Sequence, residues 1–224
     1  MPETQTAVAA ATVPLQTPGY WDEARRHLAK RDRVMKKLMP RFGDACLHCR
    51  GDAFTTLARS IVGQQISVKA AQSVWERFVT VVGAPATCLQ PQAVQGVTAA
   101  RLREAGLSAR KCEYLLDLAQ HFGEQRVHPA QWQTMDDETI ITELVAIRGI
   151  GRWTAEMFLI FHLMRPNVLP LDDLGLIKGI SLNYFSGEPV SRAEAREVGD
   201  AWAPFRSVAT WYIWRSLDPL PVEY

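Results

Sequence analysis

Apolar residues recur every three or four positions along most of this chain, and strict alternation is almost absent. That period belongs to helices with one buried stripe, not to half-buried strands. Phe54, Leu57, Ala58, Ile61 and Val62 follow it, as do Val68, Ala71, Val74, Trp75 and Phe78, and all ten are expected to face inward. Start and stop residues cut the pattern into helices. Tyr20 to Ala29, Arg33 to Phe42 and Phe54 to Val62 come first, and Ser67 then opens a helix that runs to Val81. Pro91 and Thr98 begin two short ones, the second ending at Gly106. Ser108 caps a helix to Phe122, and Asp136 or Asp137 caps one to Ile147. Gly151–His162, Asp173–Phe185, Ser191–Trp202 and Arg206–Leu217 follow, with Ser191 and Glu194 placed as a capping box. The fold class expected is all-α.

At 224 residues and 47% hydrophobic, the chain can bury a sizeable core. It has no apolar run long enough to span a bilayer. Residues 1–18 are small, polar and Pro-bearing, without the basic start and apolar centre of a signal peptide. They read as a loose arm on a cytoplasmic protein. A formal net charge of +1 argues neither for nor against nucleic acid. Between Trp21 and Arg50, however, Arg25, Arg26, Lys30, Arg31, Arg33, Lys36, Lys37, Arg41 and Arg50 face only four acids. Such a run is either a solvated helix face or a phosphate-facing one. Cys46 and Cys49 flank His48, but no second Cys/His pair completes a zinc site, and Cys88 and Cys112 stand alone. Free thiols in a reducing compartment are the expectation.

The most informative stretch is Leu144-Val145-Ala146-Ile147-Arg148-Gly149-Ile150-Gly151-Arg152-Trp153-Thr154-Ala155. One helix ends on Ile147, two glycines sit two apart, and the next helix begins at once. Glycine is required where φ is positive or where backbone must approach another surface. The amides of Ile150, Gly151 and their neighbours would then face outward at a helix N-terminus, a ready anion site suited to a DNA phosphate. An ordinary tight interhelical turn is the alternative. A nucleotide P-loop is excluded, because no Gly-Lys-Ser/Thr follows.

GIGRWTA resembles the hairpin of the helix-hairpin-helix DNA glycosylase superfamily known as HhH-GPD. In that family an apolar helix, a Pro-containing loop and a catalytic Asp follow. Here Trp153–Met164, then Arg165-Pro166-Asn167-Val168-Leu169-Pro170, then Leu171-Asp172-Asp173-Leu174-Gly175-Leu176 supply all three. Ile61 to Lys69 looks like the segment bearing the family's DNA wedge, with Gln64 or Gln65 as the inserting residue and Ser67 and Lys69 beside it. Gly106 to Lys111 looks like a further DNA-facing loop, through Ser108 and Lys111. Trp202–Ser207 through Trp211–Trp214 resembles the terminal helix pair of bacterial 3-methyladenine DNA glycosylases of type II. The resemblance covers roughly residues 19 to 217. It implies a minimal form without the N-terminal β-containing domain that such enzymes often carry. It implies two helical subdomains with a cleft between them: 19–50 plus 186–224, and 51–185 with the hairpin at 144–162 and the Asp loop at 165–173.

The resemblance further implies a monofunctional base-excision enzyme that removes alkylated bases from double-stranded DNA, acting as a monomer near the bacterial nucleoid. Asp173 would be the catalytic carboxylate, with Asp172 as the competing neighbour and helix cap. Trp153 and Trp214 would line the base pocket with Met157 and Leu174, the latter two at positions where relatives often show aromatics. Bifunctional members carry a Schiff-base Lys where Trp153 stands, so no lyase step is expected. Gly149, Ile150, Gly151, Arg152 and Thr154 would meet the phosphate backbone. No catalytic metal or iron–sulfur cluster is expected. A structural Na+ or K+ could rest on the carbonyls of Val145, Ile147 and Gly149. A non-catalytic DNA-binding module, or a glycosylase for other damaged or mispaired bases, would share the hairpin.

Overall fold

The computed structural model describes residues 17–49 and 51–217, so most of the expected N-terminal arm lies outside the described residues. Twelve α-helices account for the described fold: α1 (Trp21–Arg31), α2 (Arg33–Leu38), α3 (Ala53–Gly63), α4 (Val68–Val82), α5 (Pro91–Gln95), α6 (Ala99–Arg103), α7 (Ala109–Gly123), α8 (Asp137–Val145), α9 (Arg152–Phe161), α10 (Leu174–Tyr184), α11 (Arg192–Ala201) and α12 (Arg206–Leu217). Their starts follow local chemistry. Ser67, Thr98, Ser108, Asp136 and Ser191 each accept a backbone N–H of the first turn, and Ser191 with Glu194 completes a capping box. Each such cap contributes about 1 kcal/mol. Between Asp136 and Asp137, the cap is Asp136.

Two expectations need correction. The helix expected from Arg33 to Phe42 stops at Leu38 and continues as a 3-10 turn over Met39–Phe42. Pro40 has no N–H to donate and cannot continue an α-helix. Val68 does not face the core but is 84% exposed. It stands at the first position of α4, before the helix reaches its packing partners.

The helices pack as two groups. In one, α7 touches α3, α5 and α6, and α3 also contacts α4 and α9, with α8 against α9. Phe54, Leu57, Ile61, Phe78, Leu115 and Phe158 are among its buried side chains. In the other, α12 packs on α1, α2 and α10, and α10 on α11. The groups meet along the Arg165–Asp173 segment. There Ser207 at the start of α12 is buried, donates its hydroxyl to Arg165 O (2.6 Å) and accepts Val168 N–H (3.0 Å). Tyr20 Oη, beside α1, donates to Met164 O at 2.6 Å.

A buried carboxylate ties the second group together. Asp32 caps α2 through Val34 N–H (2.8 Å) and Met35 N–H (2.9 Å). Its other oxygen accepts Tyr184 Oη at 2.7 Å and Trp202 Nε1 at 3.0 Å. Replacing it would remove a cap, leave Tyr184 Oη without its acceptor and leave Trp202 Nε1 only its second acceptor, Tyr184 Oη, losses worth about 1 kcal/mol or more each. Asp32→Ala is therefore expected to lower stability by about 3 kcal/mol, and Asp32→Asn by less, because one acceptor survives. Urea unfolding followed by tryptophan fluorescence measures both; equal stability of Asp32→Ala and the parent would show that this node is dispensable.

Candidate active site and DNA-contact loops

Pro170 ends the segment between α9 and α10, and Asp173 caps α10 by accepting Leu176 N–H at 2.6 Å. The helix cap is thus Asp173 rather than Asp172. Asp172 is exposed and turns away to an ion pair with Arg192 at 2.8 Å. Two further donors reach Asp173. Trp214 Nε1 on α12 donates to Oδ1 at 2.7 Å, and Trp153 Nε1 on α9 donates to Oδ2 at 2.8 Å. One carboxylate is therefore gripped by both helix groups. Phe161, which the sequence did not single out, stacks on Trp214 with centroids 5.7 Å apart and rings 14° from parallel. It follows Trp153 by eight residues on α9, a spacing of just over two turns that keeps both on one side of the helix.

The arithmetic of lone pairs matters here. A carboxylate offers about four acceptor positions. Leu176 and Trp214 take two on Oδ1, and Trp153 takes one on Oδ2. The remaining capacity lies on Oδ2, beside Trp153, whose ring is 37% exposed. Among the other expected pocket residues, Leu174 is 84% exposed next to Asp173, whereas Met157 is buried in the core and can only back such a pocket. A cavity of about 220 Å³ lies on another side of α9, between Glu156, Asp137, Leu169 and Arg206, and does not include Asp173.

The hairpin turns on Gly149, whose φ is +85°. A Cβ there would sit 2.2 Å from the Tyr114 ring of α7. Gly149 is therefore required twice over, by backbone conformation and by close approach. Gly151 differs: its φ is −90°, and a Cβ would meet nothing within 4 Å. It caps α9 without any side-chain bond, so the first amides of α9 have neither an intrahelical acceptor nor a cap. Asp117, a buried acid on the apolar face of α7, accepts Arg148 N–H at 2.8 Å and fixes the turn from behind. Tyr114 and Asp117 were missed by sequence reasoning, although an acid within Leu115–Ala119 signals a specific partner.

Several expected DNA-contacting groups are engaged elsewhere. Ile150 is buried, and its amide donates to Ile147 O (3.1 Å), so it does not face outward. Thr154 is buried in the first turn of α9. Arg152 pairs with Glu138 (2.5 Å) and with Glu156 (3.0 Å). Lys111 turns inward, donating from Nζ to Val62 O (2.8 Å) and Gln64 O (2.7 Å). Ser67 and Ser108 use their hydroxyls as caps. Gln64 donates its amide to Gly149 O at 2.9 Å, whereas Gln65 is exposed with a φ of +59°. Lys69 is exposed.

For an alkali cation at the hairpin, Ile147 O already accepts Ile150 N–H and Gly149 O accepts Gln64. Each carbonyl keeps a second lone pair, so the donor set fits such an ion only through those. Cys46 and Cys49 point to different histidines, His48 and His162, each at 3.7 Å, and do not converge.

Residues 58–204 match the model of the HhH-GPD superfamily of base excision DNA repair proteins. The chain belongs to that superfamily. It is similar to the crystal structure of a DNA-3-methyladenine glycosidase from Bacillus halodurans, with 31% identity and a TM-score of 0.78, covering 92% of this chain and 93% of that one. Schizosaccharomyces pombe DNA-3-methyladenine glycosylase 1 is 28% identical over 198 residues, 87% of this chain and 86% of the relative. YfjP of Bacillus subtilis is 30% identical over 169 residues, 74% of this chain, and this stretch spans 59% of the relative's length. Among the described residues no helix is long and apolar enough to cross a membrane.

The two glycines predict opposite outcomes. Gly149→Ala should destabilise the fold by about 2 kcal/mol or more, through overpacking and a disfavoured φ. Gly151→Ala should cost about 1 kcal/mol or less, since only the cap changes. Denaturant midpoints of both variants decide it, and similar losses would mean that the hairpin relaxes away from Tyr114.

Proposed function

We propose that this chain is a monofunctional DNA glycosylase that hydrolyses the N-glycosidic bond of alkylated bases in double-stranded DNA and leaves an abasic site. The observation that carries the reading is the Asp173 carboxylate, held by two indole N–H groups and a backbone N–H where the two helix groups meet. Breaking the bond builds positive charge on the deoxyribose. A fixed carboxylate beside it lowers the barrier without reorganising. The open acceptor position on Oδ2 is where an attacking water or the developing cation would lie.

The substrate class follows from what stands near that carboxylate. Asp172 is tied to Arg192 and is not poised to protonate a leaving base. A purine alkylated at a ring nitrogen is already cationic and needs no such acid. 3-Methyladenine is the leading substrate and 7-methylguanine a second, in keeping with the names that the relatives carry. The exposed face of Trp153 would attract such a cation, by about 0.5–1 kcal/mol at an exposed site. Trp214 has one face covered by Phe161 and offers less.

DNA would be held at two places. The uncapped start of α9, with Gly151 open in front of it, suits a phosphate oxygen and reads no sequence. Gln65 projects from the turn after α3, beside the exposed apolar side chains of Ile66 and Val68. A long polar tip flanked by apolar surface suits the space left when a base leaves the stack. Asp173→Asn is expected to abolish base release while lesion-DNA binding stays within about tenfold of the parent, because Asn keeps the Oδ1 acceptor and loses the charge. Single-turnover assays test it against Asp172→Asn, expected to remain active; the reverse result would transfer the role to Asp172.

A lyase step needs an amine near the sugar. By the family resemblance Trp153 fills that position, and its N–H is committed to Asp173. The reaction should end at an intact abasic site. Borohydride trapping checks this, and a covalent protein–DNA adduct in substantial yield would refute it.

A further inference from the structure

The turn after α3 holds a non-glycine residue in a conformation that L-residues avoid. Gln64 has φ −54° and ψ 132°, Gln65 has φ +59°, and Ile66 N–H donates back to Gly63 O at 3.4 Å. This is the outline of a type II turn, which favours Gly or Asn where Gln65 stands. Such a conformation persists only where its surroundings over-determine it.

The surroundings are specific. The last carbonyls of α3 have no intrahelical donors, and this end of the helix carries partial negative charge. No basic residue lies in the last turn of α3 itself. The cation comes from α7: Lys111 Nζ donates to Val62 O and to Gln64 O, at 2.8 and 2.7 Å. The Gln64 carbonyl belongs to the peptide that leads into Gln65, so the ammonium pins the bond whose orientation sets where Gln65 points. Gln64 completes the clamp from the other side through its amide on Gly149 O. Burial lowers the affinity of Lys111 for its proton, in keeping with an ammonium turned inward onto two carbonyls.

The same face of α7 also fixes the hairpin. Tyr114 lies one turn beyond Lys111 and fills the space against Gly149, and Asp117 one turn further holds Arg148 N–H. Residues at i, i+3 and i+6 of one helix thus set both DNA-contact loops.

We propose that Lys111 is a positioning residue for base flipping: its ammonium, clamped on Val62 O and Gln64 O, holds Gln65 in its projecting conformation. The inference rests on the reading of Gln65 as the inserting residue. Lys111 touches neither the base nor the sugar. It acts only through the turn.

A double-mutant cycle tests this, reading release of 3-methyladenine from N-methylated duplex DNA with enzyme in excess. Gln65→Ala and Lys111→Met are each expected to slow release about tenfold or more. The double variant is expected to be no more than about threefold slower than Gln65→Ala alone. Lys111→Arg, which can still reach both carbonyls, should restore most of the rate. Affinity for undamaged duplex, carried by the hairpin, should stay within about threefold throughout. If the two losses multiply, Lys111 acts independently of Gln65 and the inference falls while the wedge reading stands. If Gln65→Ala leaves the rate unchanged, the wedge reading falls and takes the inference with it. Should Lys111→Met fail to fold, Lys111→Gln, whose amide can serve only one carbonyl well, carries the same cycle with the same criteria.

Discussion

The architecture depends on one carboxylate accepting from three directions. Asp173 starts α10, and the indoles of Trp153 and Trp214 reach it from α9 and α12. Those helices belong to different packing groups. Their relative position is therefore recorded at the one side chain proposed to carry the chemistry. A shift of either group by an ångström would lengthen one of these bonds past useful length. The buried Ser207, which bonds Arg165 and Val168 in the adjoining segment, limits that shift.

On the side proposed to face DNA, two of the expected cations are already engaged within the protein. Arg152 is occupied by Glu138 and Glu156, and Lys111 by two carbonyls. At the hairpin the amides that open α9 behind Gly151 have no side-chain cap, and the Arg148 side chain beside them, though paired with Asp117, is 66% exposed. This suits a molecule whose formal net charge is only +1. Under the proposed function, attraction at an uncapped helix start would be local and directional, so contact would depend on the shape of the turn. That shape is set from behind by Tyr114 and Asp117.

Much of this was legible in the sequence, for identifiable reasons. Caps at Ser67, Thr98, Ser108 and Ser191 are local chemistry, and local chemistry reads directly. So does the Gly-Ile-Gly punctuation between two apolar helices. Contacts across the fold do not read in this way. Nothing within five residues of Lys111 says that its ammonium will meet the end of α3, 47 positions away at Gln64. A surface Lys and a clamping Lys look alike in a string. Trp153 was expected as a pocket wall from its place after the hairpin, but that its N–H holds Asp173 depends on where α10 begins. Val68 fits the apolar period and is exposed, because periodicity names a face and not which turn of the helix has a neighbour.

Asp32 gives α10 a second anchorage. Its carboxylate holds Tyr184, the last residue of that helix, while Asp173 secures the first turn. A rod fastened at both tips, and packed along its length on α12, has no freedom to slide or swivel. The carboxylate at its head is then a fixed post, not a moving arm. Under the proposed function, substrate would have to be delivered to it, and the work of bringing sugar and carboxylate together would fall on bending and unstacking the nucleic acid. For a protein arranged in this way, the mechanical stiffness of the DNA around a lesion, rather than any closing motion of the chain, would decide how readily that lesion is presented.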